Sequence, residues 1–599
     1  MLTFSKRPFT LTTLALFGAV CAALAACGGG ADDGSAVGNS ANRAMASTLG
    51  ASIAVADAGA ASAAGAASAA APAEVNAVPS DPAPGALAQR RLFVEPANPS
   101  ASDSNPGSKS APLKTIGQAM KLLSPGDEVI IGPGVYRESI VIPALVATST
   151  PTILRARVAG TAIIKGSDLV SGWVNTSPGI WSVDWTGDEP EQVFRAGVAL
   201  QQIGGTVFDG YPSPGHALDA ANPWPGRVAG DRHSLPVDAF TYDAAERRLY
   251  VRLGHPMAPG EALEVSTRTY VLRAESAQRL VVKNLVFEHS NTSFTSRHGA
   301  VYVTGTDNVI RNSTIRLMDA FCVMLDGNRN QLLDSTVADC GQAGISAGGA
   351  RVRVQGNRVT GNNTRGFRQT WEAGGMKFTG TPALKDSIVS GNTVLFNNGD
   401  GIWFDWTPRR VTIQGNVCAY NVRHGIHFEA SQSSTIDGNV AYGNGLRGIY
   451  LLESAHNVVS GNIAFGNEYE GIAVADDTRS ADNPALRPYG NVVTDNTSAW
   501  NDPHRNRVQL MLPGEQWGAL SDRNVLIAGD VVPRYLQGWM RDGLPYYDGL
   551  AAWRAATGQD YSSFESRKPM PDSLRAGLAE RREFVTGELP VELQTAGVR

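Results

Sequence analysis

At 599 residues and a formal net charge of −5, the chain is too long for one ordinary globular unit unless its fold grows by repetition. The mild acidity comes with no basic stripe and no glycine loop opening a helix to cradle phosphate. That pattern excludes a nucleic-acid partner and a dinucleotide cofactor.

The N-terminus sets the compartment. Lys6 and Arg7 precede an apolar run from Leu11 to Ala26, which reads as a secretory signal over residues 1–26. A transmembrane helix would need about 20 apolar residues without small-residue cleavage chemistry. The run ends in Leu24-Ala25-Ala26-Cys27, which resembles the lipobox of bacterial lipoproteins and implies acylation of Cys27. Gly28 follows, rather than the aspartate that marks inner-membrane retention in such proteins. The expected location is therefore the cell envelope, lipid-anchored at the outer membrane or cell surface. Residues 27–90 are Ala, Gly, Ser and Pro with little to bury, and predict a disordered tether.

Order is expected from Arg91. Over residues 91–169 a short strand, turn residues and one helix lead into further strands. Thr115 with Gln118 forms a capping box, Ile116, Met120 and Leu123 share a helical face, and Pro125-Gly126-Asp127 ends the helix. Such a helix can cover the open end of a stack of strands. The stretch resembles the N-terminal cap of right-handed parallel β-helix proteins that act on polysaccharides. Residues 170–265, with Trp173, Trp181, Trp185 and the strand-like run Arg247–Leu253, predict a small inserted β-rich subdomain.

From 266 to 500 the chain repeats. Gly-Asn recurs at 356, 391, 415, 438 and 461, at intervals of 35, 24, 23 and 23 residues, and pairs such as Gly401-Ile402, Gly425-Ile426 and Gly448-Ile449 keep step. A period near 23, rich in β-branched residues, glycine and asparagine, predicts an all-β chain built as a right-handed parallel β-helix of about 23-residue rungs. Asn357, Asn392, Asn416, Asn439 and Asn462 would stack as an amide ladder at one bend. Residues 501–599 read as a C-terminal cap and packing segment, with a carbohydrate-binding role for Trp517, Trp539 and Trp553 as its alternative. Cys322, Cys340 and Cys418 lack metal-site spacing. They read as buried small apolar residues, with a Cys322–Cys340 disulfide as the alternative in an oxidising compartment.

The period also sorts side chains by face. Counting from each glycine, the first and third residues point to the core, as in Ile402 and Phe404 or Ile426 and Phe428. The second and fourth point outward: Lys377 and Thr379, Trp403 and Asp405, His427 and Glu429, Tyr450 and Leu452. This outer face gathers aromatic rings beside two carboxylates, the chemistry of sugar binding. Equivalent residues on adjacent rungs lie about 4.8 Å apart. Asp405 and Glu429 are such a pair. Carboxyls about 5–5.5 Å apart suit a retaining glycosidase, whereas inverting enzymes need about 6.5–9.5 Å to admit water. Two like charges so close predict that one carboxyl keeps its proton and acts as general acid.

Glu372-Ala-Gly-Gly-Met-Lys377, Gly401-Ile-Trp-Phe-Asp405-Trp406 and Ile426-His-Phe-Glu429 resemble the pattern of glycoside hydrolase family 120, β-xylosidases on a right-handed β-helix interrupted by a smaller β-rich domain. The resemblance extends over most of residues 91–480. It implies Asp405 as nucleophile, Glu429 as acid/base and Glu372 as a sugar-binding carboxylate, with Lys377, Trp403, His427 and Tyr450 completing the substrate face. The chain departs from the pattern after Glu429, where Ala430-Ser-Gln-Ser replaces Val-Asn-His-Gly, which leaves the substrate open.

Two other readings share the fold. A polysaccharide lyase would use Lys377 or His427 as base on a uronate polymer, with calcium held by Glu372, Asp405 and Glu429. A non-catalytic lipoprotein would bind polysaccharide on the same face. The segment Asn501-Asp-Pro-His-Arg-Asn506 is similar to the Asp-Pro-His-Asp of β-helix alginate epimerases, but Arg505 replaces the second aspartate, and Asp502 and His504 read as turn residues. The glycosidase reading requires no metal or cofactor and predicts a monomer whose partners are a carbohydrate substrate and, through Cys27, the membrane.

Overall fold

A computed structural model describes residues 88–204, 230–293, 298–380, 382–406, 408–477, 479–537 and 546–594. The signal, Cys27, nearly all of the tether and Trp539 lie outside the described residues. Among the described residues no helix is long and apolar enough to cross a membrane.

Three 13-stranded sheets run the length of the molecule, each built from one strand per rung. Nearly every pairing within them is parallel and in register, as in Trp403↔His427 and His427↔Tyr450. Rungs close in the right-handed sense that parallel crossovers take. Their inward side chains form one continuous apolar column, in which Met376, Ile402, Ile426, Ile449 and Ile472 stack beside Phe378, Phe404, Phe428, Leu451 and Val474.

The bends hold two asparagine ladders. In the first, the backbone N–H and the Nδ2 of Asn416 both donate to Oδ1 of Asn439, at 2.9 Å each, and Asn439 repeats this toward Asn462. The second, through Asn362, Asn397, Asn421, Asn444, Asn467 and Asn501, was not anticipated. It accounts for the glycine that opens each site strand. A Cβ on Gly425 would stand 2.8 Å from Nδ2 of Asn444 and 2.7 Å from the carbonyl oxygen of Gly448.

The helix Ile116–Leu122 is capped by Thr115, whose Oγ1 accepts from the amide of Gln118 at 3.2 Å. The amides of Ile116 and Gly117 donate to the Glu138 carboxylate, so Glu138 serves the helix start beside Thr115. Between Ser167 and Ser266 the chain leaves the rungs for two sheets of mainly antiparallel strands, packed on Trp173, Trp185, Phe240, Leu249 and Val251.

Two expectations need correction. The rungs do not stop at 500: Val508–Leu512 and Arg534–Gln537 continue one sheet, Leu520–Asp522 ends the second, and Val525–Ile527 with Phe564–Ser566 ends the third. At this bend the Gly-Asn marker ends at 461, while the ladder continues through Asn496 and Asn524, which lack the preceding glycine. Trp553 is fully buried, stacked on Tyr535 and donating to Asp560, so it is core and not a sugar platform. Cys322 and Cys340 form a disulfide, their Cα atoms 5.7 Å apart on successive rungs, and Cys418 is the buried free thiol. Asp502 is a turn residue whose Oδ2 accepts the amides of Asn506 and Val508.

Candidate active site

The site lies on one sheet, on the outward side of the consecutive strands Gly374–Phe378, Asp400–Phe404, Ile426–Glu429 and Ile449–Leu452. Register brings Lys377, Trp403, His427 and Tyr450 into one column. Two residues on, Asp405 and Glu429 take matching places after Phe404 and on from Phe428. Beyond Glu429 the face turns apolar, through Leu452, Ala473, Ala475 and Met511.

That face was expected to be open, and it is covered: Lys377, Trp403, Asp405, His427, Glu429 and Tyr450 are each at most 6% exposed. The stretch between the strands Ile472–Ala475 and Val492–Thr494 is longer than in neighbouring rungs, and its short helix, Arg479–Asp482, returns Arg479 onto the site. Arg479 Nη2 stands 2.5 Å from Oε1 of Glu429 and 2.7 Å from Oε2 of Glu453, the latter an ion pair without hydrogen-bond alignment. Neither Arg479 nor Glu453 was singled out from sequence. The signal was the interval of 34 residues from Asn462 to Asn496, eleven longer than a regular rung.

Lys377 Nζ donates to Oδ2 of Asp405 at 2.8 Å and lies 2.9 Å from the centroid of the Trp403 ring. Trp403 Nε1 donates to Oε2 of Glu429 at 3.1 Å. The rings of Trp403, His427 and Tyr450 stack at 5.1 Å intervals, with interplanar angles of 12° and 22°. His427 Nδ1 lies 3.2 Å from Oδ2 of Asp400, and its Nε2 lies 3.7 Å from Oε2 of Glu429. Glu372 is buried two residues before its strand, in the left-handed region at φ 46°.

The carboxyls ionise differently. Burial, and then the charge of Glu429, push Asp405 up to about 6 against the pull of Lys377. Burial also pushes Glu429 up, but His427, Arg479 and Lys377 outweigh it and hold Glu429 below its ordinary value. Burial pushes Glu453 up to about 8, with Arg479 opposing and Asp477 and Glu429 adding. In the covered state, then, the proton sits on Asp405 before Glu429, the reverse of the order that the implied roles would give.

Asp400, His424 and His427 bring one donor atom each within 4.8 Å of one another. They do not suit a cation. Asp400 Oδ1 accepts the amide of His424 at 2.9 Å, His424 Nδ1 accepts the amide of Arg447 at 3.2 Å, and Arg423 Nε lies 3.6 Å from Asp400. These side chains form a rung-to-rung ladder beside a guanidinium.

The family profile described as a right handed beta helix region matches residues 269–380, 299–454 and 383–503, and one described as a protein of unknown function, DUF1565, matches residues 100–146. No curated protein matches the chain. Among solved structures, that of XylC in complex with xylose is 13% identical, covering 80% of this chain and 86% of that one at a TM-score of 0.55. A glycoside hydrolase is 12% identical over 69% and 97% at 0.44, and pectate lyase Pel9A is 14% identical over 74% and 76% at 0.31. Likeness at such identity concerns the fold. The chain is a right-handed parallel β-helix.

Proposed function

We propose that the protein cleaves glycosidic bonds in oligosaccharide or polysaccharide, with retention of configuration, on the pair Asp405 and Glu429. The observation that carries this reading is their matching position, each following the paired Phe404 and Phe428 on adjacent rungs, which generally lie about 4.8 Å apart, both buried beside a stack of three aromatic rings. That spacing leaves no room for an intervening water and suits direct attack by one carboxylate. In the resemblance to family 120, Asp405 attacks the anomeric carbon and Glu429 protonates the leaving oxygen, then activates water. At neutral pH Asp405, at about 6, is largely ionised, as a nucleophile must be. Lys377 holds its orientation. The β-xylosidase-like form of the reading rests on the resemblance to family 120, on a fold shared with XylC, whose structure holds xylose.

The lyase alternative asks for a base. Lys377 already donates to Asp405, and the unengaged Nε2 of His427 faces Glu429 at 3.7 Å. The signal and Leu24–Cys27 support lipid anchoring in the envelope, with the β-helix carried on the tether.

A soluble form lacking residues 1–90, and its Asp405→Ala and Glu429→Ala variants, would be incubated with aryl β-xylosides, related aryl glycosides and uronate polymers. Release of sugar by the parent and its loss in both variants is expected. Unsaturated product from the uronate polymers would replace this reading with the lyase.

A further inference from the structure

The glycosidase reading leaves one requirement unmet. Its first step needs a proton at Glu429 while Asp405 is ionised, yet three cationic or donor groups hold Glu429 as a carboxylate. A proton must therefore reach Glu429 from a neighbour. His427 is the side chain placed to supply it. Its ring is clamped between Trp403 and Tyr450, which fixes the plane. One ring nitrogen faces Asp400 at 3.2 Å and the other faces Glu429 at 3.7 Å. Nε2 has no hydrogen-bond partner although it is buried, so it is aimed at Glu429 without being engaged elsewhere. Asp400 is itself fixed by the amide of His424 and flanked by Arg423.

We infer that Asp400 and His427 form a proton-holding pair behind Glu429, with Nδ1–H of His427 donated to Asp400 and Nε2 exchanging a proton with Oε2 of Glu429. The inference rests on the glycosidase reading and deepens it. In the first step the Nε2–H bond breaks and the proton passes to Glu429. Glu429 gives its proton to the glycosidic oxygen as the bond from that oxygen to the anomeric carbon breaks and the Asp405 carboxylate bonds to that carbon. In the second step water attacks the same carbon, Asp405 leaves as carboxylate, and the proton lost by water returns through Glu429 to Nε2. Atoms and charge balance without a co-reactant.

The groups facing His427 are Asp400 and Trp403 from one strand, Glu429 and His424 from its own strand and the turn before it, and Tyr450 from the next. Behind them stand Lys377 over Trp403, Arg447 over Tyr450, Arg423 by Asp400 and Arg479 by Glu429. His427 is thus a positioning residue, acting through Glu429. A leaving group that departs without a proton should not need it in the first step.

The test compares phenyl and 2,4-dinitrophenyl glycosides, on whichever sugar the parent cleaves, with His427→Gln, Asp400→Asn and Glu429→Ala. General acid catalysis typically contributes about 10²–10⁴-fold, so His427→Gln is expected to lower kcat on the phenyl glycoside by about 10²-fold. On the dinitrophenyl glycoside kcat/KM, which reports only the steps up to departure of the leaving group, should fall at least about tenfold less than kcat/KM on the phenyl glycoside. Asp400→Asn should repeat the split, and it carries the test if His427→Gln fails to fold, because asparagine keeps the size and can still accept the His424 amide. Equal losses on both leaving groups, or none, would overturn the inference while leaving the glycosidase reading intact. A parent inert on every glycoside, or a Glu429→Ala variant as active as the parent, would remove that reading and the inference with it.

Discussion

Arg479 reaches back fifty residues along the chain to place its guanidinium 2.5 Å from Glu429. The same group meets Glu453 one rung further on, so a single cation from an extended stretch between rungs faces two buried carboxyls. This contact closes the site and fixes which carboxyl carries charge. In the proposed reaction a sugar reaching Glu429 would displace Arg479 or share it.

Arg479→Gln removes that cation. Glu429 is held below its ordinary value in the folded state, so its ionised form contributes stability above the unfolded carboxylate value of about 4.3, lost as pH falls through the lower folded value. The variant should therefore be less stable at pH 7 and close to the parent in strong acid. With Arg479 23% exposed, the loss at pH 7 is expected near the lower end of the about 3–5 kcal/mol typical of a broken buried pair. Denaturant unfolding at the two pH values checks it.

Lys377→Met removes the ammonium that opposes the rise of Asp405. Asp405 then ionises above its present value of about 6. In the proposed reaction Asp405 attacks as the ionised form, so the acid limb of kcat/KM should move to higher pH in the variant. An unmoved limb would mean that Asp405 does not set it.

Glu453 ionises near 8 instead of its ordinary 4.5. A carboxyl raised on folding imposes a cost that begins above the unfolded value and grows until the folded value is passed, at about 1.4 kcal/mol per pH unit. Glu453→Gln should match the parent below pH 4.5 and gain stability relative to it between pH 4.5 and 8. Thermal unfolding across that window reads the sign directly.

Asn439→Ala interrupts the first ladder. The buried backbone N–H and Nδ2 of Asn416 both lose their acceptor, at about 1–3 kcal/mol for each unsatisfied group. A lowered Tm is expected, with Asn444→Ala behaving alike on the second ladder because Asn421 loses the same two bonds. The outward Thr412, half-buried and outside both ladders, is the control position.

The period carried most of what was legible. Glycine and asparagine mark the bends because each ladder asparagine needs its place and each strand-opening glycine has a carbonyl or amide where a Cβ would sit. The second ladder has the same intervals as the first but no constant preceding glycine to mark it. The facing of Lys377, Trp403, Asp405, His427 and Glu429 followed from alternation alone. Their burial did not, because it depends on how the stretch around Arg479 folds back, which alternation within a strand does not encode. The column Asp400, His424, Arg447 and Glu470, each one residue before a strand-opening glycine, was present in the sequence. It lies outside the alternation counted from each glycine, which therefore does not reveal Asp400 as the partner of His427.

Retention on Asp405 and Glu429 can be read by proton NMR of the first sugar released from an aryl glycoside, recorded before mutarotation. The new reducing end is expected to carry the configuration of the substrate, as carboxyls on adjacent rungs require. Product of the opposite configuration would contradict retention and would mean that water, held between more widely spaced groups, does the attacking.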